Sequence, residues 1–519
     1  MTSDDYIVFI ESINSFPFII SLYQKEDDFF KPFIIDKKDG YHIIKFNEIL
    51  RKENHFLPSK YSLKQPSPRR LENLDKKFIW HPFTQMQEWQ NEQPIIIKSG
   101  RGCLLTDIHN KKYIDGISSL WVTIHGHRKK EIDQAVSRQL KMVAHSTLLG
   151  LSNVPAVLLA EKLMRIAPPK LSKVFYSDSG STAVEIALKL AFQYWQQKGP
   201  KFGTKTKFIS LTQAYHGDTL GSVSVGGIDL FHQMYKPLLF NTYKIDSPYC
   251  YRCFLGKTYP TCKLACAESA ETIIRGVSRE TAALILEPLV QGAAGMLMQP
   301  PGYLAKIRRI CTKYNTLLIA DEVATGFGRT GTMFACEHEK VAPDIMCVAK
   351  GLTGGYLPLA ATLATEEIYR GFLGEYREFR TFFHGHTYTG NPLACAAAIA
   401  SLDLFQKEKT LVKLRGKIAA LSWELQRFKE LKHVGEVRQR GFMVGIELVQ
   451  DRLTKKPYPL ENKIGIRVIM ECRKNGLIIR PLGNFIVLMP PLSFSLRELK
   501  RMMRIVLMPA DMSQTVHEY

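Results

Sequence analysis

Beyond Pro168 the chain repeats one hydrophobic rhythm. A short run of consecutive apolar residues gives way to a polar loop, and the loop to a longer segment with apolar positions three and four residues apart. K-V-F-Y is followed by S-D-S-G-S-T and then A-V-E-I-A-L-K-L-A-F-Q-Y-W; K-F-I-S-L, A-A-L-I-L-E-P, L-L-I-A-D-E and D-I-M-C-V-A-K continue the series. Apolar runs bounded by turn residues predict strands buried on both faces, and the periodic segments between them predict amphipathic helices. The fold class expected is therefore α/β, a mostly parallel sheet covered by helices on both faces. Ligands of such sheets bind beyond the carboxyl ends of the strands.

The flanks read differently. I-I-I-K and the two runs around a polar turn at His109 to Lys112 predict short strands, and residues 131–167 carry helical periodicity. Past Asn391 an alanine-rich helix leads to the strands G-F-M-V-G-I-E-L, L-I-I-R-P and F-I-V-L-M-P-P, a smaller α+β unit. Before residue 76 the texture changes: there is no glycine ahead of Gly40, Y-I-V-F-I and Y-H-I-I-K-F suggest strands, and K-Q-P-S-P-R-R-L-E-N-L-D-K-K reads as a linker. The expected organisation is an extension over 1–75, an N-terminal part of the small domain with an active-site loop over 76–145, a large domain over 146–400 and a small α+β domain over 401–519.

With 519 residues, 45% hydrophobic and 23% charged, the chain can bury the cores of two or three domains. No apolar run reaches the roughly 18 residues of a membrane span, and M-T-S-D-D-Y-I-V-F-I lacks the basic region of a secretory leader. A cytosolic (cytoplasmic) protein is the default expectation. A net charge of +21 raises nucleic acid or an anionic surface as a partner. The basic residues are scattered and no recognition motif accompanies them, which favours a solvated basic surface, with no nucleic-acid and no membrane partner.

Ten cysteines without a secretory leader argue against a disulfide framework. Six (Cys103, Cys311, Cys336, Cys347, Cys395 and Cys472) sit mostly in apolar runs as small core residues. The other four, Cys250, Cys253, Cys262 and Cys266, are compatible with a tetrahedral zinc site or with a thiol-rich surface insertion.

The chemistry-bearing residues fall where strands end. Gly180, Ser181 and Thr182 open a helix, where backbone amides and small hydroxyls suit a phosphate dianion and equally suit a simple cap. Tyr215 follows the next strand, either over the same site or packed on the sheet. Asp321 ends another strand, where a buried carboxylate needs a cationic partner. Lys350 ends a strand 29 residues later and is followed closely by Gly351, Gly354 and Gly355. A lysine stripped of water there becomes a nucleophile toward carbonyls, whereas a solvent-facing lysine would merely cap the strand. Phosphate cradle, aromatic ring, carboxylate and lysine on successive strand ends match the needs of pyridoxal 5'-phosphate, with Lys350 as its covalent anchor and Asp321 on the ring nitrogen.

These motifs carry a family resemblance. The chain from about Phe78 onward resembles a class III (ω-type) pyridoxal phosphate aminotransferase of the fold-type I, aspartate aminotransferase-like fold. Within that class it is similar to the biotin-pathway enzymes that convert 8-amino-7-oxononanoate to 7,8-diaminononanoate. The residues concerned are W-H-P-F-T-Q-M (80–86), G-I-S-S-L-W-V-T-I-H-G-H (116–127), D-S-G-S-T-A-V-E-I-A-L-K (178–189), A-Y-H-G-D-T (214–219), E-P-L-V-Q-G-A-A-G-M (287–296), A-D-E-V-A-T-G-F-G-R-T-G (320–331), A-K-G-L-T-G-G (349–355), H-G-H-T-Y-T-G-N-P-L-A-C-A-A (384–397) and I-R-P-L-G (479–483).

The resemblance implies that Lys350 carries the cofactor and moves the substrate proton. It further implies that Gly180 and Ser181 bind the phosphate, that Tyr215 covers the ring, and that Asp321, with Glu287 nearby, serves the ring nitrogen. His386 and Thr387 would reach the phosphate of a neighbouring subunit, making a homodimer. Phe83, Trp121, Tyr215, Lys350, Gly385 and Arg480 would contact substrate, with the arginine fork on a distal carboxylate. Phe83 and Val487 replace aromatic hydroxyls frequent in the family. The resemblance leaves two amino donors, S-adenosylmethionine and lysine, and a broader alternative, an ω-aminotransferase acting on ω-amino acids or polyamines.

Overall fold

The computed structural model describes residues 66–511 and the backbone of four strands between residues 6 and 45. The chain divides into two compact units, Met1–Pro94 and Ile95–Tyr519. In the first, β1 (Tyr6–Glu11), β2 (Ile19–Glu26), β3 (Phe29–Asp36) and β4 (His42–Lys45) pair antiparallel in chain order, and the two runs expected as strands fall on β1 and β4. The rest of the expectation for 1–65 lies outside the described residues.

The stretch read as a linker is corrected: it contains a helix, Pro68–Phe78. Ser67 caps it, accepting the N–H of Arg70 at 3.3 Å, and Pro68 occupies the first turn, where its missing N–H has no intrahelical partner to lose. The Ser-Pro pair was thus a helix start. Asp75 of this helix accepts hydrogen bonds from Trp89 Nε1 at 2.8 Å and pairs with His81 Nε2 at 3.1 Å.

The second unit opens with β5 (Ile97–Arg101), β6 (Leu104–Asp107) and β7 (Lys112–Asp115). Its main sheet is built from β8 (Leu171–Ser177), β9 (Lys207–Leu211), β10 (Tyr243–Ile245), β11 (Thr281–Leu286), β14 (Leu317–Asp321), β15 (Ile345–Val348) and β16 (Ala360–Thr365). A short ribbon, β12 (Val290–Gln291) and β13 (Leu297–Met298), interrupts the series. The order is β10-β9-β11-β14-β15-β16-β8, and β16 alone runs against the rest. The expected mostly parallel α/β sheet is what forms.

Alternation within β11 shows both faces covered. Ala283 and Ile285 pack with Ala183, Ile186 and Leu190 of the helix Gly180–Gln197, while Leu284 and Leu286 belong with Leu304 and Ile307 of the helix Tyr303–Lys313. Every residue of β11 and β15 is buried, which is why these strands read as unbroken apolar runs. Polar groups of the sheet are thereby pushed to the strand ends.

The C-terminal region holds β17 (Val434–Arg440), β18 (Met443–Asp451), β19 (Lys456–Pro457), β20 (Leu477–Ile478), β21 (Arg480–Leu482) and β22 (Phe485–Leu488). β17-β18-β22-β21 form an antiparallel sheet with β19 on β18. β20 instead joins β7 in parallel and completes a β20-β7-β6-β5 sheet, so residues 97–115 and 477–478 share one layer. Gly116, directly after β7, donates its N–H to Ile478 at 2.9 Å and starts the loop that enters the site.

Candidate active site

Beyond the carboxyl ends of β8, β9, β11, β14 and β15 lies a cleft of about 410 Å³ lined by Trp121, Gly180, Ser181, Tyr215, Glu287, Asp321 and Lys350 among others. Residues as distant in sequence as Trp121 and Lys350 converge there because parallel strands present their ends on one side. Lys350 follows the end of β15 and begins a short 3-10 turn with φ 45°. Its Nζ lies 4.9 Å from the centroid of the Trp121 ring. Burial lowers the pKa of this amine, and the Asp321 and Glu287 carboxylates oppose that shift.

Asp321 is the last residue of β14 and is buried. Its Oδ2 lies 2.7 Å from His216 Nδ1, and its Oδ1 accepts the N–H of Val323 at 3.0 Å. Glu287 accepts the N–H groups of Tyr215 (3.2 Å) and Gly292 (2.8 Å). Burial, followed by the like charge of Asp321, pushes the Glu287 pKa up to about 8.

Across the cleft Ser179 caps the helix Gly180–Gln197 in a reciprocal capping box with Thr182. The amides of this 18-residue helix's first turn point outward with the positive end of its dipole. Ser181 Oγ accepts the N–H of Asp218 at 3.2 Å, binding the cradle to the Tyr215 loop. That loop closes only with glycine: Gly217 has φ 123°, and a Cβ there would lie 2.0 Å from Ser181 Oγ. The Tyr215 hydroxyl donates to Asp218 at 2.8 Å, and burial raises its pKa.

Trp121 closes the cleft from a turn in which Ser118, Ser119, Leu120 and Trp121 all have positive φ. A left-handed turn of ordinary residues costs roughly 1–2 kcal/mol each, so its surroundings must hold it. Ser118 Oγ donates to Met489 O at 2.6 Å, while the buried Arg329 donates to Ser118 Oγ (3.2 Å) and to the carbonyls of Trp121 (3.2 Å) and Thr123 (3.0 Å).

The remaining expected residues lie elsewhere. Gly385 and Thr387 are exposed, and His386 bonds through Nδ1 to Asp178 Oδ2 at 2.7 Å, Asp178 itself lining the cleft. Arg480 is partly buried on β21, paired across the strand with Val487 of β22. Burial lowers its pKa and Tyr215 opposes the shift. Phe83 belongs to the first unit and is exposed. Cys250, Cys253, Cys262 and Cys266 line one narrow slot, and all four are free thiols; among the described residues no three metal-binding side chains are arranged to hold an ion. The six scattered cysteines are buried, as expected. Sequence reasoning missed His216, Asp178 and Arg329; all three stand inside motifs it quoted, but only the fold shows the first two touching Asp321 and His386 and the third holding the turn of Trp121.

The donor set fits pyridoxal phosphate. The buried Asp321 carboxylate, the N-terminus of the helix Gly180–Gln197 and the Lys350 amine all line this one cleft. This cleft on a mostly parallel, doubly covered sheet is that of a fold-type I transaminase. The family model of class III aminotransferases matches residues 85–507, and the chain belongs to that family. It is 53% identical over 430 residues to the adenosylmethionine-8-amino-7-oxononanoate aminotransferase of Geobacter sulfurreducens, covering 83% of this chain and 94% of that protein. With the enzyme of the same name from Aquifex aeolicus it shares 55% identity over 427 residues, 82% of this chain and 93% of that one. Among solved structures, that of the Methanocaldococcus jannaschii adenosylmethionine-8-amino-7-oxononanoate aminotransferase superposes with a TM-score of 0.81 at 47% identity, covering 86% of this chain and 99% of that chain. An (S)-enantioselective omega-transaminase from Thermomicrobium roseum gives 0.82 at 35% identity, covering 87% and 99%.

Proposed function

We propose that this aminotransferase uses pyridoxal 5'-phosphate to convert 8-amino-7-oxononanoate to 7,8-diaminononanoate, with S-adenosylmethionine as amino donor, in biotin biosynthesis. The observation that carries the reading is identity above 50%, over four fifths of the chain, to relatives whose names specify both substrates.

The residues divide the work. Gly180 and Ser181 at the helix N-terminus would receive the phosphate, Tyr215 would line the ring's place, and Asp321, oriented by His216, would hold the ring nitrogen in its protonated form. Once bound, pyridoxal phosphate supplies the electron sink that acidifies the carbon bearing the amino group. Lys350 Nζ would take a proton from, or deliver one to, the substrate carbon that bears the amino group, a task suited to an amine whose pKa burial has lowered. Arg480 offers the bidentate fork for the distal carboxylate of the nonanoate. Exposed Thr387, with His386, would reach the phosphate site of a second copy of the chain in a homodimer, and Gly385 would contact substrate.

Two measurements check this reading. Purified protein given 8-amino-7-oxononanoate forms the diamine with S-adenosylmethionine as donor. Turnover with lysine alone would reassign the donor, and turnover of ω-amino acids without any of the amino-oxononanoate would replace the reading by a general ω-aminotransferase. Gly217→Ala, whose Cβ meets Ser181, weakens pyridoxal phosphate binding by about tenfold or more, as titration of the cofactor-free enzyme would read.

A further inference from the structure

Asp115 is a fully buried carboxylate that the chemistry above does not use. It ends β7 beside Ile478 of β20 and accepts three bonds: Ser119 N at 2.8 Å, Ser119 Oγ at 2.8 Å and His127 Nε2 at 2.9 Å. Two of the three act on the left-handed turn. Its φ angles are 53°, 46°, 74° and 71° from Ser118 to Trp121, and it closes with Trp121 N to Ile117 O at 2.8 Å and Val122 N to Ser118 O at 2.9 Å. None of the four residues is glycine, and Leu120 is half-exposed, so packing does not demand its identity.

The turn sets where the indole goes. Trp121 lies with its ring 4.9 Å from Lys350 Nζ, and a Cβ placed on Gly292 would come within 3.2 Å of Trp121 Cζ3. Its Nε1 is buried without a partner among the described residues. A right-handed or extended backbone at 118–121 would swing the ring away from both neighbours, because side-chain direction follows φ and ψ.

We propose that Asp115 is a positioning residue: by holding both polar hydrogens of Ser119 it keeps residues 118–121 left-handed, and so fixes Trp121 as the wall that gauges the acceptor beside Lys350. This inference rests on the transaminase reading.

The test uses backbone preference at the half-exposed Leu120. Holoenzymes are compared by kcat and KM for the amino-oxononanoate, normalised to bound cofactor. Leu120→Val, β-branched and poorly tolerated at positive φ, lowers kcat/KM by about tenfold to a hundredfold, chiefly through KM. Leu120→Gly, which adopts this φ freely, stays within about twofold of wild type. Asp115→Ala falls like Leu120→Val, and adding Leu120→Gly restores most of the loss. Wild-type kinetics in Leu120→Val, or an Asp115→Ala loss that Leu120→Gly leaves untouched, would overturn the proposal, as would a loss confined to the amount of folded holoenzyme. If the transaminase reading itself fails, the wild-type enzyme shows no turnover, a result distinct from variants that match an active wild type.

Discussion

Lys350→Ala turns over the amino-oxononanoate at least ~10³-fold more slowly than wild type and loses the visible absorbance of bound cofactor, read by steady-state assay and by spectrum. General acid–base work by a placed side chain is worth about 10²–10⁴-fold, and in the proposed reading this lysine also anchors the cofactor, so both tasks vanish together. Lys350→Arg separates charge from chemistry. A guanidinium keeps the cation next to Asp321 and Glu287 but neither forms the link nor gives up a proton near neutral pH, and it falls as far as alanine. The pH profile follows from burial. Burial disfavours the ammonium form more than the two carboxylates favour it, so the folded pKa is lowered. For a lysine acting as base the neutral fraction grows as pH rises through that lowered value, and the rising limb of the wild-type profile therefore begins at lower pH than for an exposed lysine. A Lys350→Ala enzyme retaining both the absorbance and a tenth of the rate would remove this residue from its role.

The fold class was legible because β11 and β15 are buried along their whole length, and full burial writes itself as unbroken apolar runs. Lys350, Asp321 and Tyr215 were legible for a related reason: a polar side chain ending such a run has nowhere to go but the rim of the sheet. The resemblance added roles to those positions. What the sequence hid was contact between segments. His216 reads as a turn residue until β9 and β14 bring it 2.7 Å from Asp321, and Asp115 reads as the end of a strand until the chain folds back over it. The left-handed turn was equally hidden, since S-S-L-W contains no glycine to announce a positive φ. The helix at Pro68 was misread because proline and a run of charges suggest a linker, although serine before proline is also how helices begin.

Asp321→Asn lowers kcat/KM for the amino-oxononanoate by about 10²-fold while leaving the fold and the cleft in place. An opposite charge within hydrogen-bond reach in a buried site moves a pKa by about 1–3 units, and the carboxylate is the group proposed to keep the ring nitrogen protonated. Asparagine keeps one oxygen to accept the Val323 N–H and turns its NH2 toward His216 Nδ1, which accepts from it in the matching tautomer, so it removes the charge and keeps the side chain's shape. Asp321→Ala removes both. If charge is what matters, the two variants fall to within about threefold of each other; if the carboxylate serves only to seat the ring, asparagine works far better than alanine. A second readout is independent of turnover. Asp321 is the second-largest cause of the raised Glu287 pKa, after burial, so in Asp321→Asn the Glu287 carboxyl loses its proton at lower pH than in the wild-type enzyme. Infrared difference titration of the two enzymes in the carboxylate region measures that displacement directly. An unchanged Glu287 titration together with a wild-type rate would show that the Asp321 charge acts on neither its neighbour nor the cofactor.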